Sequence, residues 1–527
     1  VRTTQRPATF TPNVDRSLLD GLVTGAAVPA GRPGIAVHAP FTGNEIGSVP
    51  AASAEDVRAA VERAREAQKH WAATPIQNRA RVLSRFHDLL LDRADTAIDL
   101  IQLEGGKARI PALEEVYDTV ATTRYYIKTG PRLLKRRRRA VSLPGLTKTY
   151  EYRHAHGVVG SITPWNFPFT LGISDIVPAF LAGNAVVAKP DEKTPFSMLY
   201  GATLLTEAGL PDDLLQVITG RGDEIGPTLV DSVDFVVFTG STEVGRQVVT
   251  QASSRLVGAS MELGGKNAAL VLADADLDKT IPGISRAVFA NGGQLCISME
   301  RVYVDETIRQ EFTERFVEHT RNLVMTTDFD FSSDLSSLIT REHLDNVHSH
   351  VEDAIAKGAT LLEGGKPRPD VGPLFYAPTV MTEVSDEMLI CRDETFGPVV
   401  TIYGFDHLEE AIAAANDSHL GLNFSVWTKD TERGIDIATR LEAGTVGIND
   451  GYAATWSSYD APMGGMKMSG TGRRHGAEGL LRFTESQTVS VQRLGPAFAP
   501  FAGLDYPRYQ MILGPLLRLL KRLPFYK

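Results

Sequence analysis

Cys296 lies in NGGQLCISMER (residues 291–301) and is one of two cysteines in 527 residues. A lone thiol can fill a core, close a disulfide or attack an electrophile. At a pKa of ~8.5 only a few per cent is thiolate at neutral pH. Nucleophilic work therefore needs a nearby base or hydrogen-bond donors. Two other positions are candidates for those roles. Glu262, in MELGGKN, is a carboxylate followed by two glycines just past a strand pattern, and reads as a general base or as a loop acid. Asn166, in Thr163-Pro164-Trp165-Asn166-Phe167-Pro168, reads as an Asx-turn residue stiffened by prolines or as an amide donor to an oxyanion. Neither CxxC nor HExxH occurs, so no metal is expected. The serine-hydrolase elbow GxSxG is absent as well.

A second group of motifs points to a nucleotide. Phe238-Thr239-Gly240-Ser241-Thr242-Glu243-Val244-Gly245 follows a strand pattern and opens a helix pattern, as a phosphate site requires. It lacks the GxGxxG form. Gly220-Arg221-Gly222 and Gly470-Thr471-Gly472 are looser matches that single turns also produce. Lys189-Pro190-Asp191-Glu192 ends a buried strand, where doubly wound sheets bind ligands. Its Lys and Glu either bond ribose hydroxyls or sit in a solvated loop.

The elements that position these residues are α/β. Ser53-Ala54-Glu55-Asp56 starts a helix, and helical spacing continues to about Thr129. Then TKTYEYRH alternates like a strand and Pro144-Gly145 marks a turn, so residues 131–153 read as a β-hairpin leaving its domain. AVVAKP, LLQVITG and DFVVFTG are apolar strands alternating with helices, TPFSMLYGATLLTEAG having Pro at its start. That pattern implies a parallel sheet covered on both faces. RVYV, PVVTIY, NFSVW and GTVGIN suggest strands of a second α/β region from Gly264 to about Phe483. TVSVQR (488–493) reads as a late strand that pairs with the early hairpin. The opening ~30 residues read as an extended arm, and Lys135 to Arg139 as a solvated basic loop.

Composition sets limits. The chain is 43% hydrophobic and 22% charged, like an ordinary globular protein. A formal charge of -10 argues against nucleic acid as the main partner. Low cysteine usage fits a reducing cytosol, and no run reaches the ~18 apolar residues of a membrane span. A cytoplasmic protein is expected. The tail MILGPLLRLLKRLPFYK is apolar with basic interruptions. It reads as an arm packed on a subunit neighbour, with a weak membrane-surface or substrate-gate helix as the sharper alternative.

Taken together, PWNFP, AKPDEKTP, FTGSTEVG, MELGGKN, GGQLC, ETFGP and PMGGMKMSG, in that order, resemble the NAD(P)-dependent aldehyde dehydrogenase superfamily over about residues 35 to 492. The resemblance implies Cys296 as nucleophile, Glu262 as general base, and an oxyanion held by the Asn166 amide and the Cys296 N–H. It implies cofactor contacts from Thr163, Pro164, Trp165, Lys189, Glu192, Gly222, Gly240, Ser241, Glu394 and Phe396. It further implies two doubly wound domains and an oligomerisation flap. Residues 1–130 and 154–263 would form the cofactor domain, and 264–484 the catalytic domain. Residues 131–153 and 485–495 would form the flap, with 496–527 as the tail. A homodimer or homotetramer is implied.

The sequence also departs from the family. Many members carry Lys where Asp175 stands and Glu where Arg474 stands. Both signs are inverted here, so a salt bridge between Asp175 and Arg474 is expected. A proton relay through residue 474 is excluded, because guanidinium does not titrate usefully. Glu192 should accept bonds from a ribose 2′-OH and repel a 2′-phosphate, favouring NAD over NADP, while Lys189 and Lys193 soften that preference. The segments 170–191 and 291–304 look most like a bacterial succinate-semialdehyde dehydrogenase branch. Members with that activity carry arginines at the positions of Ser174 and Ala290, which grip the distal carboxylate. Arg301 and Arg473 are close in sequence to the site. Met299, Met463, Phe169 and Tyr452 are candidates for an apolar tunnel. Succinate semialdehyde is the first expectation, and an apolar or aromatic aldehyde the physical alternative. A CoA-acylating enzyme would usually lack the Glu262 base. A non-catalytic binder need not keep base, nucleophile and oxyanion donor together. Cys391 reads as structural.

Overall fold

The structure is a computed structural model in which residues 13–141, 146–493, 500 and 503–522 are described. The helix Ala54–Ala73 starts as the sequence predicts. Ser53 and Asp56 form a reciprocal capping box, satisfying two of the N–H groups a helix start leaves orphaned.

The first sheet has six strands. In spatial order they are Gly470–Thr471, Gly258–Glu262, Phe235–Thr239, Val158–Ile162, Ala185–Lys189 and Leu215–Val217. Five run parallel, and only Gly470–Thr471 is antiparallel to its neighbour. Every residue of Ala185–Lys189 is buried, as a strand covered on both faces requires. The chain runs from Val158–Ile162 outward on one side, then crosses to Phe235–Thr239 on the other. That reversal opens a crevice beyond the carboxyl ends of these two strands, where such sheets bind ligands.

The second sheet has seven strands: Thr360–Glu363, Thr379–Thr382, Val399–Phe405, Met299–Asp305, Asn267–Val271, Asn423–Trp427 and Thr445–Ile448. All pairs are parallel except the first. After Met463 the chain returns to the first sheet: Gly470 and Thr471 pair with Glu262 and Met261. The expected 264–484 unit thus lends a strand to its neighbour.

A third sheet joins Arg137–Arg139, Thr147–Ala155 and Thr484–Gln492. The register from Thr484↔Ala155 to Gln492↔Thr147 is the expected pairing of late strand and hairpin. Pro144-Gly145 lies outside the described residues. Three expectations need correction. The helix Arg109–Leu133 passes Thr129 and contains Pro131, whose missing N–H costs one bond in the final turn. The basic run is a solvated loop only at Lys135 and Arg136. Arg137–Arg139 pairs with Thr149–Glu151, Arg139 bonds Glu151, and the Arg136 guanidinium lies 4.5 Å over the Tyr150 ring. Nor is the opening wholly extended. Arg16–Val23 is a helix capped by Asp15 that buries Leu19 and Leu22. Residues 1–12 lie outside the described residues. In the tail, Tyr506–Leu520 is a helix capped by Asp505. No helix among the described residues is long and apolar enough to cross a membrane.

Candidate active site

A cavity of about 270 Å³ fills the crevice at the strand reversal. Pro164, Trp165 and Asn166 come from the turn after Val158–Ile162, and Thr239, Gly240 and Ser241 from the turn after Phe235–Thr239. Glu262, at the end of the next strand, reaches it, as do Cys296, Glu394 and Phe396 from the second sheet's side. The nucleophile, base and amide candidates therefore line one cavity together with six of the ten candidate cofactor residues: Pro164, Trp165, Gly240, Ser241, Glu394 and Phe396. Ser241 also caps the helix Thr242–Ser254, whose N-terminal N–H groups suit a phosphate.

The cysteine turn is held by amide side chains. Asn291, Gly292 and Gly293 all take positive φ (53°, 65° and 74°), which folds the chain sharply before Cys296. A Cβ on Gly293 would stand 1.9 Å from the Gly397 carbonyl oxygen. Asn291 Nδ2 donates to the carbonyls of Asn166 (3.2 Å) and Gln294 (3.1 Å), and Asn166 Nδ2 donates to the same Gln294 carbonyl at 3.1 Å. Asn267 Nδ2 donates to the carbonyls of Cys296 (2.8 Å) and Ser298 (2.7 Å). These bonds tie the Asn166 turn to the Cys296 turn.

The electrostatics suit acid–base work. Burial pushes the Glu262 carboxyl up to about 7, against the pull of Arg474 and Arg482. Its Oε1 is buried without a hydrogen-bond partner, so the carboxyl is free to take a proton near neutral pH. The surrounding protein pushes the Cys296 thiol up to about 12, with Glu394 and Glu262 adding to the rise and Arg474 opposing it. The resting sulfur is a thiol, and a base or a bound positive charge must activate it. Cys391 is also unbridged; it donates to Asp386 at 3.4 Å.

The cofactor candidates fall in two neighbouring groups. Lys189 Nζ meets Glu192 Oε2 at 3.2 Å, a Cβ on Gly222 would lie 3.5 Å from the same Nζ, and the Thr163 N–H donates to the Lys189 carbonyl at 3.1 Å. Thr163 Oγ1 is buried with no partner. Burial disfavours the Glu192 carboxylate, but Lys189 and Lys193 outweigh it and hold the group below its usual pKa. At the other end, Glu394 Oε1 accepts the Gly265 N–H at 2.9 Å. Burial, then repulsion from Glu300, pushes its carboxyl up to about 8. Phe396 takes a positive φ of 54°. Its N–H donates to Glu300 at 2.9 Å and its carbonyl accepts from His343 at 2.8 Å. His343, which no sequence motif marks, lines the cavity. Burial lowers its pKa, so the ring is neutral and its Nε2 carries the donated proton. A cradle of glycines, a helix N-terminus, an orphaned hydroxyl and two carboxylates fit a dinucleotide.

The inverted charge pair exists. Arg474 Nη2 lies 3.1 Å from Asp175 Oδ1, and Arg482 Nη2 joins the same oxygen at 3.3 Å. Sequence reasoning missed Arg482. Of the two arginines proposed from sequence proximity, Arg301 is spent on backbone carbonyls. Arg301 spends its guanidinium on the carbonyls of Lys266, Ala414 and Ala415, and Arg473 donates to those of Gly465 and Gly472.

A second cavity, of about 540 Å³, lies on the far side of the cysteine turn. Leu295 and Ile297 flank Cys296 and line it, with Phe167, Val120, Tyr452, Trp456 and Tyr459. Its charged lining includes Glu114, which is paired with Arg286, and Asp118. The tunnel expected from four residues is corrected. Tyr452 lines this cavity and Met463 packs in the apolar cluster around Cys296. Phe169 and Met299 instead belong to the two main cores.

The sequence pattern describing the aldehyde dehydrogenase family matches residues 28–489. A protein of Mycolicibacterium smegmatis, provisionally named succinate-semialdehyde dehydrogenase [NADP(+)], is 48% identical over 92% of this chain and 93% of its own. A Mycobacterium tuberculosis protein of the same provisional name is 46% identical, covering 97% of this chain and 99% of its own. The crystal structure of an NAD-dependent aldehyde dehydrogenase from Sinorhizobium meliloti superposes with a TM-score of 0.85 at 35% identity, covering 90% of this chain and 94% of that one.

Proposed function

From the premise that this chain belongs to the aldehyde dehydrogenase family, we propose that it oxidises an aldehyde to a carboxylic acid through a thioester on Cys296. The supporting observation is that Cys296, Glu262 and Asn166 line one cavity at the strand reversal. Glu262 takes the Cys296 thiol proton and later releases it to solvent, and the sulfur attacks the aldehyde carbon to form a thiohemiacetal. Asn166 Nδ2 and the Cys296 backbone N–H stabilise its oxyanion. Lys189, Glu192 and Gly222 would hold the adenosine end of NAD(P), Gly240 and Ser241 the pyrophosphate, and Glu394 the nicotinamide ribose. Trp165 packs edge-on against Phe396 at 5.6 Å and backs that end of the cleft. NAD(P)+, when bound, would supply the hydride acceptor that takes the thiohemiacetal to the thioester. Glu262 then takes a proton from water, which attacks the Cys296 thioester and releases the acid.

NAD is the cofactor that the Glu192 carboxylate favours. The NADP(+) in the names of the mycobacterial relatives fits the two lysines that flank Glu192. The substrate we propose first is succinate semialdehyde, on the strength of those relatives. The 540 Å³ cavity favours a second reading, since its lining is mainly aromatic and aliphatic and suits an apolar or aromatic aldehyde. Nicotinamide reduction followed by absorbance, with succinate semialdehyde, hexanal and benzaldehyde each crossed with NAD and NADP, tests both. Absence of turnover with every aldehyde would remove the proposal.

A further inference from the structure

Ser174 stands where an arginine would be expected to grip a substrate carboxylate, yet a guanidinium is present there. Arg474 Nη2 donates to Ser174 Oγ at 3.3 Å. Ser174 and Arg474 are both at least 97% buried. The arginine arrives from the far end of the sequence. Its N–H and carbonyl are bracketed by Met463, at 2.7 and 2.9 Å, and the Met463 side chain packs in the cluster that surrounds Cys296. The guanidinium carbon lies 4.7 Å over the Trp456 ring, which lines the larger cavity. From Ser174 a hydroxyl contact of 3.2 Å leads to Thr170, which also lines that cavity.

Two features mark this arginine as more than a structural cation. Arg474 and Arg482 share a single oxygen of Asp175, so two guanidinium groups divide one directly bonded carboxylate. Further, Arg474 Nε is buried without a hydrogen-bond partner. A buried donor of this kind is costly unless a ligand satisfies it. The nearby cations of the cavity offer less. Arg286 is committed to Glu114, and Arg124 is exposed. The acidic groups on this wall are Glu114, Glu115, which pairs with Lys107, and Asp118. Burial raises the Asp118 carboxyl above the usual range, against the pull of Arg474.

We propose that Arg474 receives the distal carboxylate of the aldehyde substrate, doing from the segment after Met463 what an arginine at position 174 would do. This inference rests on the aldehyde dehydrogenase reading and selects the carboxylate-bearing substrate within it. The test compares kcat/KM for succinate semialdehyde with that for butanal, which has the same four-carbon chain and no carboxylate. The wild-type enzyme should prefer succinate semialdehyde. In Arg474→Met that preference ratio should fall roughly 100-fold, the scale of losing one partner of a buried charge pair. In Arg474→Met/Ser174→Arg it should recover at least tenfold. If the methionine variant does not fold, Arg474→Lys, which keeps the charge and loses the planar fork, should lower the same ratio at least fivefold. A wild-type enzyme that turns over butanal without preferring succinate semialdehyde overturns the anchor and leaves the dehydrogenase reading standing. A variant in which both activities fall together, at constant ratio, also overturns it. Turnover of neither aldehyde removes both.

Discussion

Arg474 and Asp175 meet at 3.1 Å with both side chains 3% exposed. This is the pair expected from the two charge inversions in the sequence. The attraction is conserved while the chemistry changes, because a guanidinium cannot relay a proton at neutral pH.

Removing the carboxylate should therefore cost stability. Asp175→Asn leaves Arg474 and Arg482 buried without the charge they share. Truncating one partner of a buried pair costs about 3–5 kcal/mol. A clearly lowered urea midpoint is expected, and an unchanged midpoint would show that the arginines find other compensation.

Glu262 sets the pH dependence. Burial raises its carboxyl to about 7, and only the ionised form accepts a proton from water. Hydrolysis should fall as pH drops through 7, about tenfold per unit below it, and level off above. In Glu262→Gln the limb near pH 7 should vanish from the kcat profile. A limb that persists would assign it to another group.

Asn166 is expected to act in the transition state. Asn166→Ala should lower kcat about 10²–10³-fold with little change in KM. The same variant loosens the bond to the Gln294 carbonyl, so its fold should be checked by near-UV circular dichroism. A fall confined to KM would make Asn166 a binding residue only.

The Glu192–Lys189 contact of 3.2 Å should govern cofactor choice. Glu192→Ala removes the carboxylate that opposes a 2′-phosphate and frees a lysine to meet it. The ratio of kcat/KM for NADP over NAD should rise about tenfold, or ~1.4 kcal/mol. A ratio that stays constant would place discrimination elsewhere.

Much of this site was legible because its chemistry sits in short contiguous motifs. Cys296 and Asn166 lie in turns marked by glycines or prolines, Glu262 ends a strand just before Gly264 and Gly265, and the apolar runs of Ala185–Lys189 and Phe235–Thr239 show buried parallel strands. What the sequence hid depends on long-range contacts. Arg482 meets Asp175 across 307 positions, and His343 reaches the Phe396 carbonyl from a helix of ordinary appearance. Arg301 looked available by proximity, but its donors are used by carbonyls more than a hundred residues away. Phe167 lines the larger cavity, while Phe169, two residues on, is buried in the first core.

The thioester on Cys296 can be captured directly. Glu262→Gln should form the acyl-enzyme and hydrolyse it slowly. Mixed with NAD and whichever aldehyde the wild-type enzyme turns over, then acid-quenched and digested, it should carry the acyl group on the peptide containing Cys296, with one equivalent of NADH released per site. NADH release without an adduct, or an adduct on Cys391 instead, would contradict Cys296 as the nucleophile.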